Sequence, residues 1–215
     1  MKKLRSSFSR FPKETPMKDY FSTKSDLYKK YRPTYPDELF DFILSKVAKY
    51  DQAWDCGTGN GQIVKHIHTR FNHVFATDIS PSQIANAEQF ENVSYSIQAA
   101  EKTAFKANLF DLITVGQAVH WFDFEKFYAE VNRTAVKNGI IALLGYGRLA
   151  ATDSGNPVID DLYANLLADY WDPERKYIDE NYQTIPFPFK EIKAPEFSIA
   201  YHWTREELRG YLETW

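Results

Sequence analysis

The sequence predicts a single α/β domain built on a doubly wound, mostly parallel sheet, and three observations carry that expectation. From Thr34 onward, short apolar runs alternate with helical patterns of about 10–15 residues, the mark of βαβ units. A turn with three alternating glycines follows the first of these runs directly. The length, 215 residues, suits one sizeable core and is short for two.

The elements can be justified in order. Thr34-Tyr-Pro-Asp37 reads as a capping box opening a helix that puts Leu39, Phe40, Ile43, Leu44 and Val47 on one face. Residues 52–56 form the first strand, and Gly57-Thr-Gly-Asn-Gly61 is a turn into a helix with Ile63, Val64, Ile67 and Phe71 inward. Residues 74–77 are the second strand. Ser80-Pro81 then supplies an N-cap followed by a proline at the first helical position. Residues 93–99 alternate as a third strand, and 110–115 are a compact apolar fourth. Asp123 caps a helix bearing Phe124, Phe127, Tyr128 and Val131, and Gly139 leads into a fifth strand, 140–144. Right-handed crossovers make a doubly wound sheet the natural packing. If the strand order is 3-2-1-4-5, the switch point where ligands bind lies between strands one and four. It would be lined by residues 57–61 and 117–121.

The remainder is less regular. Ile159, Leu162, Tyr163, Leu166, Leu167 and Tyr170 have helical spacing, and residues 182–195 read as a proline- and aromatic-rich loop. Residues 197–203 alternate like a strand, and Thr204 caps a last helix running to Trp215. With one candidate strand here and an apolar final residue, the C-terminal edge of the sheet is expected to be incomplete. It would leave unpaired backbone groups.

Composition excludes several classes. A net charge of -3 argues against a nucleic-acid binder, which needs a clustered basic face. No run approaches the ~20 apolar residues of a membrane span, so a soluble protein without a membrane partner is expected. The single cysteine, Cys56, rules out an internal disulfide and fits a cytoplasmic location. His66 and His68 fall on different helix faces, and no metal site is indicated. The first thirteen residues carry five positive charges and no acid. A transit peptide and a disordered basic tail both fit that bias, and patterned sequence begins only after Met17.

The chemistry concentrates in Asp55-Cys-Gly-Thr-Gly-Asn-Gly61. Glycines let a backbone turn sharply and approach a ligand, and the helix that follows presents N–H groups. A dinucleotide fingerprint would place its third glycine where Gln62 stands. Asp55 would repel a pyrophosphate but suits a ligand with a cationic amino group. Asp78, 21 positions after Gly57, is spaced to accept hydrogen bonds from ribose hydroxyls. His120 and Trp121 follow the fourth strand, where an acceptor would sit. His120 is either a general base or a structural imidazole, and Trp121 is either a pocket wall or core. Arg148, just past strand five, could clamp a substrate carboxylate or be solvated.

These motifs resemble the class I S-adenosylmethionine-dependent methyltransferases over about residues 28–147, with Asp55-x-Gly-x-Gly-x-Gly61 as the first motif and Asp78 as the second. Gln117-Ala-Val-His-Trp-Phe-Asp123 and Tyr28-Lys-Lys-Tyr-Arg-Pro-Thr-Tyr-Pro36 look like the methyltransferase type 11 branch holding trans-aconitate methyltransferase-like proteins. The resemblance implies S-adenosyl-L-methionine as cofactor and a small-molecule methyl acceptor, with a carboxylate as one candidate. Asp55 would face the amino group, Gly57, Gly59 and Gly61 would give backbone access, and Asp78 would hold the ribose. Ile79 would cover the adenine, Gln117 and Ala118 would flank the sulfonium, and Arg32 could pair with the methionine carboxylate. Many relatives carry an acid where Ala99 stands, so here Ala100 and Glu101 would serve the adenine. The chain then divides into a basic tail (1–17), a helical segment covering the cofactor (18–50) and the methyltransferase domain (51–215). A non-catalytic cofactor-binding or regulatory protein is the alternative from another class. A nicotinamide oxidoreductase is disfavoured by the glycine spacing.

Overall fold

The computed structural model describes residues 31–150 and 156–214. The expected basic tail, 1–17, and residues 18–30 lie outside the described residues. The helix α1 (Asp37–Leu44) precedes β1 (Gln52–Cys56), α2 (Val64–Ile67), β2 (His73–Asp78), α3 (Pro81–Ala85), β3 (Val93–Ile97) and β4 (Phe110–Gly116). A 3-10 turn (Val119–Trp121), α4 (Phe124–Thr134) and β5 (Ala135–Leu144) follow. The strands form one sheet in the order β3-β2-β1-β4-β5, and each neighbouring pair runs parallel. The α/β doubly wound expectation and the switch point between β1 and β4 are therefore both met.

Alternation along β1 explains how two cores form on one sheet. Ala53 faces a cluster with Phe40, Ile43, Leu44, Val64, Ile67 and Leu112. Trp54, its neighbour, points to the other face, among Phe110, Ile113, Val115, Phe127 and Val131. The side chains of β4 from Phe110 to Val115 are all buried, as a central parallel strand requires. Trp54 keeps its one polar atom satisfied by donating from Nε1 to Thr77 Oγ1 at 2.8 Å. Ser80 caps α3, with Pro81 as its first residue, and Asp123 caps α4.

Several local expectations are corrected. Pro36, not Thr34, is the N-cap of α1, and no side chain caps that helix. Proline forces the residue before it into an extended conformation, so Thr34 is carried away from the helix end. Its N–H donates instead to the Tyr201 hydroxyl at 2.8 Å. The third strand stops at Ile97 rather than residue 99, and β5 starts at Ala135, with a register shift between Phe110 and Leu112. Residues 159–170 do not form one helix. α5 (Asn156–Asp161) passes into a π-helical turn (Leu162–Leu166) and a 3-10 turn (Ala168–Tyr170). α6 (Lys176–Asp179) and α7 (Arg205–Leu212) complete the described elements, and Thr204 opens α7 with a full capping box.

Residues 197–203 pair with no strand among the described residues. Their alternation is satisfied by rings rather than by a ladder: Phe197 packs on Phe42, and Trp203 on Tyr211. The described sheet thus ends at β5. A groove of about 1440 Å³ lies beside it, lined by the strand and by residues of the 181–203 segment.

Glu130 on α4 pins the loop after β3 to the helix. It accepts from the Thr103 N–H at 2.8 Å, from the Thr103 hydroxyl, and from Arg133 Nε at 2.7 Å. Burial alone would raise this carboxyl, but the hydrogen bonds from Arg133 and Thr103 overcome it and hold the group at about 2, against an ordinary 4.5. A carboxylate held low contributes stability above its ordinary value and loses it as the pH falls through its folded value. Glu130→Ala should therefore lower stability at pH 7 by about 1.5–3 kcal/mol in urea unfolding. The deficit should close as the pH falls from 4.5 toward 2.

Candidate active site

Asp55 is the next-to-last residue of the central strand β1, just before Cys56, and is 1% exposed. The hydroxyls of two neighbours point at it. Thr58 Oγ1 donates to Oδ2 at 2.6 Å, and Thr114 Oγ1 donates to Oδ1 at 2.8 Å from the partner position on β4. Burial still dominates, and the carboxyl is pushed up to about 7 despite both hydrogen bonds. Asp78 ends β2 and ties the glycine turn down. Its Oδ2 accepts from the Gly59 N–H at 2.8 Å and its Oδ1 from the Ser80 N–H at 2.9 Å.

The turn between them depends on two glycines for different reasons. Gly57 has φ +66°, and a Cβ there would stand 2.7 Å from the Ala118 Cβ. Gly61 has φ +82°, and a Cβ would stand 2.9 Å from the Tyr95 hydroxyl. Both positions combine left-handed backbone with close approach, which only glycine tolerates. The turn is longer than its sequence suggests, because residues 59–63 are turn and regular helix begins at Val64. Across the switch point, Gln117 is a non-glycine residue with φ +51°. Two bonds to the end of β5 hold it there: its N–H donates to the Leu144 carbonyl at 2.8 Å, and its Nε2 to the Tyr146 carbonyl at 2.8 Å. Strained backbone of this kind clusters at functional sites.

These elements enclose a pocket of about 90 Å³ at the carboxyl ends of β1, β2 and β4. Of the residues expected there, Asp55, Gly57, Gly59, Asp78, Gln117, Ala118 and Trp121 line it. Gly61, itself part of the turn, does not line the cavity, and neither does half-buried Ile79, adjacent to Asp78. Ala100 is buried in the second core, and Glu101 Oε1 accepts from the Asp123 N–H at 3.0 Å. Arg32 Nη2 donates to the Thr214 carbonyl at 2.9 Å, and its guanidinium lies over the Tyr211 ring. It thus fastens the entry segment to the end of α7. Arg148 lines the large groove and sits 3.7 Å from Asp160 and 3.8 Å from Asp179.

His120 is 4% exposed, and its Nδ1 shares a hydrogen bond of 2.9 Å with the Tyr182 hydroxyl. Burial, with the Arg175 charge adding to it, lowers the imidazole to about 4. Sequence reasoning missed Tyr35, Asn60, Gln83 and Tyr146, all lining the pocket, and the role of Thr114 against Asp55. Asn60 stood inside the recognised motif, and Thr114 is a polar residue within an apolar run, which is a signal. Nothing in the sequence marked Tyr146.

Comparison with known proteins decides the family. A family model described as a methyltransferase domain matches residues 54–143. A methyltransferase from Dictyostelium discoideum is 36% identical over 211 residues, covering 96% of this chain and 80% of that protein. The chain belongs to the class I S-adenosylmethionine-dependent methyltransferases. A solved structure assigned as a type II methyltransferase from Anaeromyxobacter dehalogenans is 36% identical, with a TM-score of 0.78 over 86% of this chain and 79% of that one. An S-adenosyl-L-methionine-dependent methyltransferase structure from Methanococcus maripaludis shares the fold at 18% identity, with a TM-score of 0.54 over 79% of this chain and 85% of that one. S-adenosylmethionine is the cofactor of the family. The pocket of this methyltransferase suits it chemically: a buried carboxylate for a cation, a second carboxylate at the end of β2, and a backbone cradle that no Cβ could enter. Among the described residues, no helix is long and apolar enough to cross a membrane.

Two outcomes test this geometry. Gly57→Ala should abolish the rise in melting temperature that S-adenosylhomocysteine produces, because the new Cβ would fall 2.7 Å from Ala118. Asp55 gives a pH test. A carboxyl whose folded value is raised contributes stability fully below its ordinary 3.8 and loses it as the pH rises through about 7. Thermal melting of the free protein should find Asp55→Asn more stable than the natural chain at pH 8. The gain should narrow steadily toward pH 4.

Proposed function

We propose that this methyltransferase transfers the methyl group of S-adenosylmethionine to a small molecule whose acceptor atom is already nucleophilic at neutral pH, a carboxylate being the first candidate. The observation that carries this reading is that the described lining of the methyl-donor pocket holds no histidine or lysine, and its two carboxylates, Asp55 and Asp78, are both given to the cofactor. His120 lies off the pocket, bonded to Tyr182, at about 4. Asp55, which also accepts from Thr58 and Thr114, is committed to the cofactor's ammonium in this reading. When bound, the cofactor supplies a sulfonium methyl activated for transfer. The chain's own residues orient the two reactants and exclude water.

In this reading Asp55 receives the ammonium, Asp78 the ribose hydroxyls, and the 57–61 turn the methionine tail, while Gln117 and Ala118 flank the reacting centre. Ile79, Ala100 and Glu101 keep their expected place on the adenine side. Arg32 acts by holding the entry segment, and Arg148 stands in the neighbouring groove, where it can steer an anion. Cytoplasmic action on a small metabolite, rather than on nucleic acid, accords with the charge of -3 and the single cysteine. Membership of the trans-aconitate methyltransferase-like branch is part of the same proposal.

Turnover over a panel of small carboxylates, phenols and amines tests the reading. Methylation of a carboxylate is the expected result, and activity confined to amines or phenols would overturn the acceptor class. Cofactor binding with no turnover across the panel would favour a regulatory role on the same scaffold. His120→Ala should cost less than about tenfold in turnover, well short of the ~10²–10⁴-fold expected for a general base. Affinity for S-adenosylhomocysteine should fall as the pH drops below about 7, because protonated Asp55 cannot pair with an ammonium.

A further inference from the structure

The pocket distributes its charge unevenly. Its described lining includes only two carboxylates, Asp55 and Asp78, at the ends of β1 and β2. On the β4 and β5 side stand Gln117, Ala118 and three aromatic residues, Tyr35, Trp121 and Tyr146. The nearby acid Glu101 directs an oxygen to the Asp123 N–H instead. The cofactor carries two positive charges, an ammonium and a sulfonium. With the ammonium on Asp55 and the ribose on Asp78, covalent structure puts the sulfonium between them. Its methyl must face the acceptor's approach.

The approach is visible in the cavities. Among the described residues, Tyr35 and Tyr146 alone line both the 90 Å³ pocket and the 1440 Å³ groove. Their ring centroids are 6.0 Å apart and tilted at 55°. Tyr35 is buried, and its hydroxyl would lie 3.2 Å from a Cβ placed on Gly116, at the end of β4. Tyr146 is held through its carbonyl by Gln117 Nε2, from the left-handed residue that closes β4. Aromatic faces attract cations, most strongly where water is excluded.

We propose that Tyr35 and Tyr146, the two rings at the junction of pocket and groove, hold the sulfonium centre and set this enzyme's preference for the charged methyl donor over its neutral product. The inference rests on the methyl-donor reading of the pocket and adds a role that the glycine turn and the two acids do not supply. S-adenosylhomocysteine keeps the ammonium and ribose but lacks the sulfonium charge, so the rings would bind it less well. A product that leaves readily lets turnover continue.

The test is calorimetric titration of the full chain with S-adenosylmethionine, S-adenosylhomocysteine and sinefungin, a non-reactive analogue with an amine in place of the sulfonium. Tyr146→Leu should weaken the two charged ligands about 2- to 30-fold while leaving S-adenosylhomocysteine nearly unchanged. Tyr146→Phe, which keeps the ring, should behave like the natural chain. Tyr35→Leu, read with its melting curve because Tyr35 is in the core, should shift the same ratio. An unchanged ratio in both leucine variants would overturn the proposal and leave the cofactor assignment standing. So would a Phe variant as impaired as the Leu variant, since the hydroxyl would then be responsible. Failure of the natural chain to bind any of the three would instead sink the methyl-donor reading, and this inference with it.

Discussion

A carboxylate buried at the centre of a parallel sheet is the constraint around which this molecule is arranged. Water would solvate Asp55 far better than the interior does, and two threonine hydroxyls only partly replace that water. The carboxyl rises to about 7 as a result. Such a group destabilises the free protein at neutral pH. Strongly shifted, buried carboxyls of this kind cluster at functional sites.

The surrounding architecture follows from placing that group. Thr114 can reach Asp55 because β1 and β4 are direct parallel neighbours, which is also what creates the switch point. Thr58 reaches it because the chain reverses at Gly57, where φ is +66° and Ala118 leaves no room for a side chain. Asp78, at the end of the other neighbour of β1, fixes the far side of the same turn through the Gly59 N–H. Acids on β1 and β2, a left-handed glutamine just after β4 and a tyrosine after β5 therefore meet at one edge.

The part after β5 follows different rules. It contributes aromatic packing instead of strands, with Tyr163 between the guanidiniums of Arg148 and Arg175 and Tyr182 against His120. From the sequence, His120 reads as either a general base or a structural imidazole, and Arg148 as either a carboxylate clamp or a solvated residue. In the fold, His120 shares a buried hydrogen bond with Tyr182, and Arg148, which lines the groove, sits 3.7 Å from Asp160 and 3.8 Å from Asp179. Proximity in sequence to a strand end does not say which way a side chain turns, and a 3-10 turn at Val119–Trp121 turned His120 away from the pocket.

The sequence by itself determined the alternation of strands and helices, the switch point, the glycine turn and the two acids. All of these are local patterns: apolar periodicity, glycine spacing and an acid at a strand end keep their meaning over ten or twenty residues. The caps at Ser80, Asp123 and Thr204 were legible for the same reason, whereas Thr34 was not, because Pro36 stiffens the chain before the helix. Only the tertiary structure decided that Tyr35 and Tyr146, 111 positions apart, share one wall. It also decided that residues 197–203 lie against α1 and α7 instead of joining the sheet, and that Asp55 is buried deeply enough to titrate near neutrality. These outcomes depend on which surfaces meet and how much water they exclude, and burial of that kind leaves no local signature in the chain.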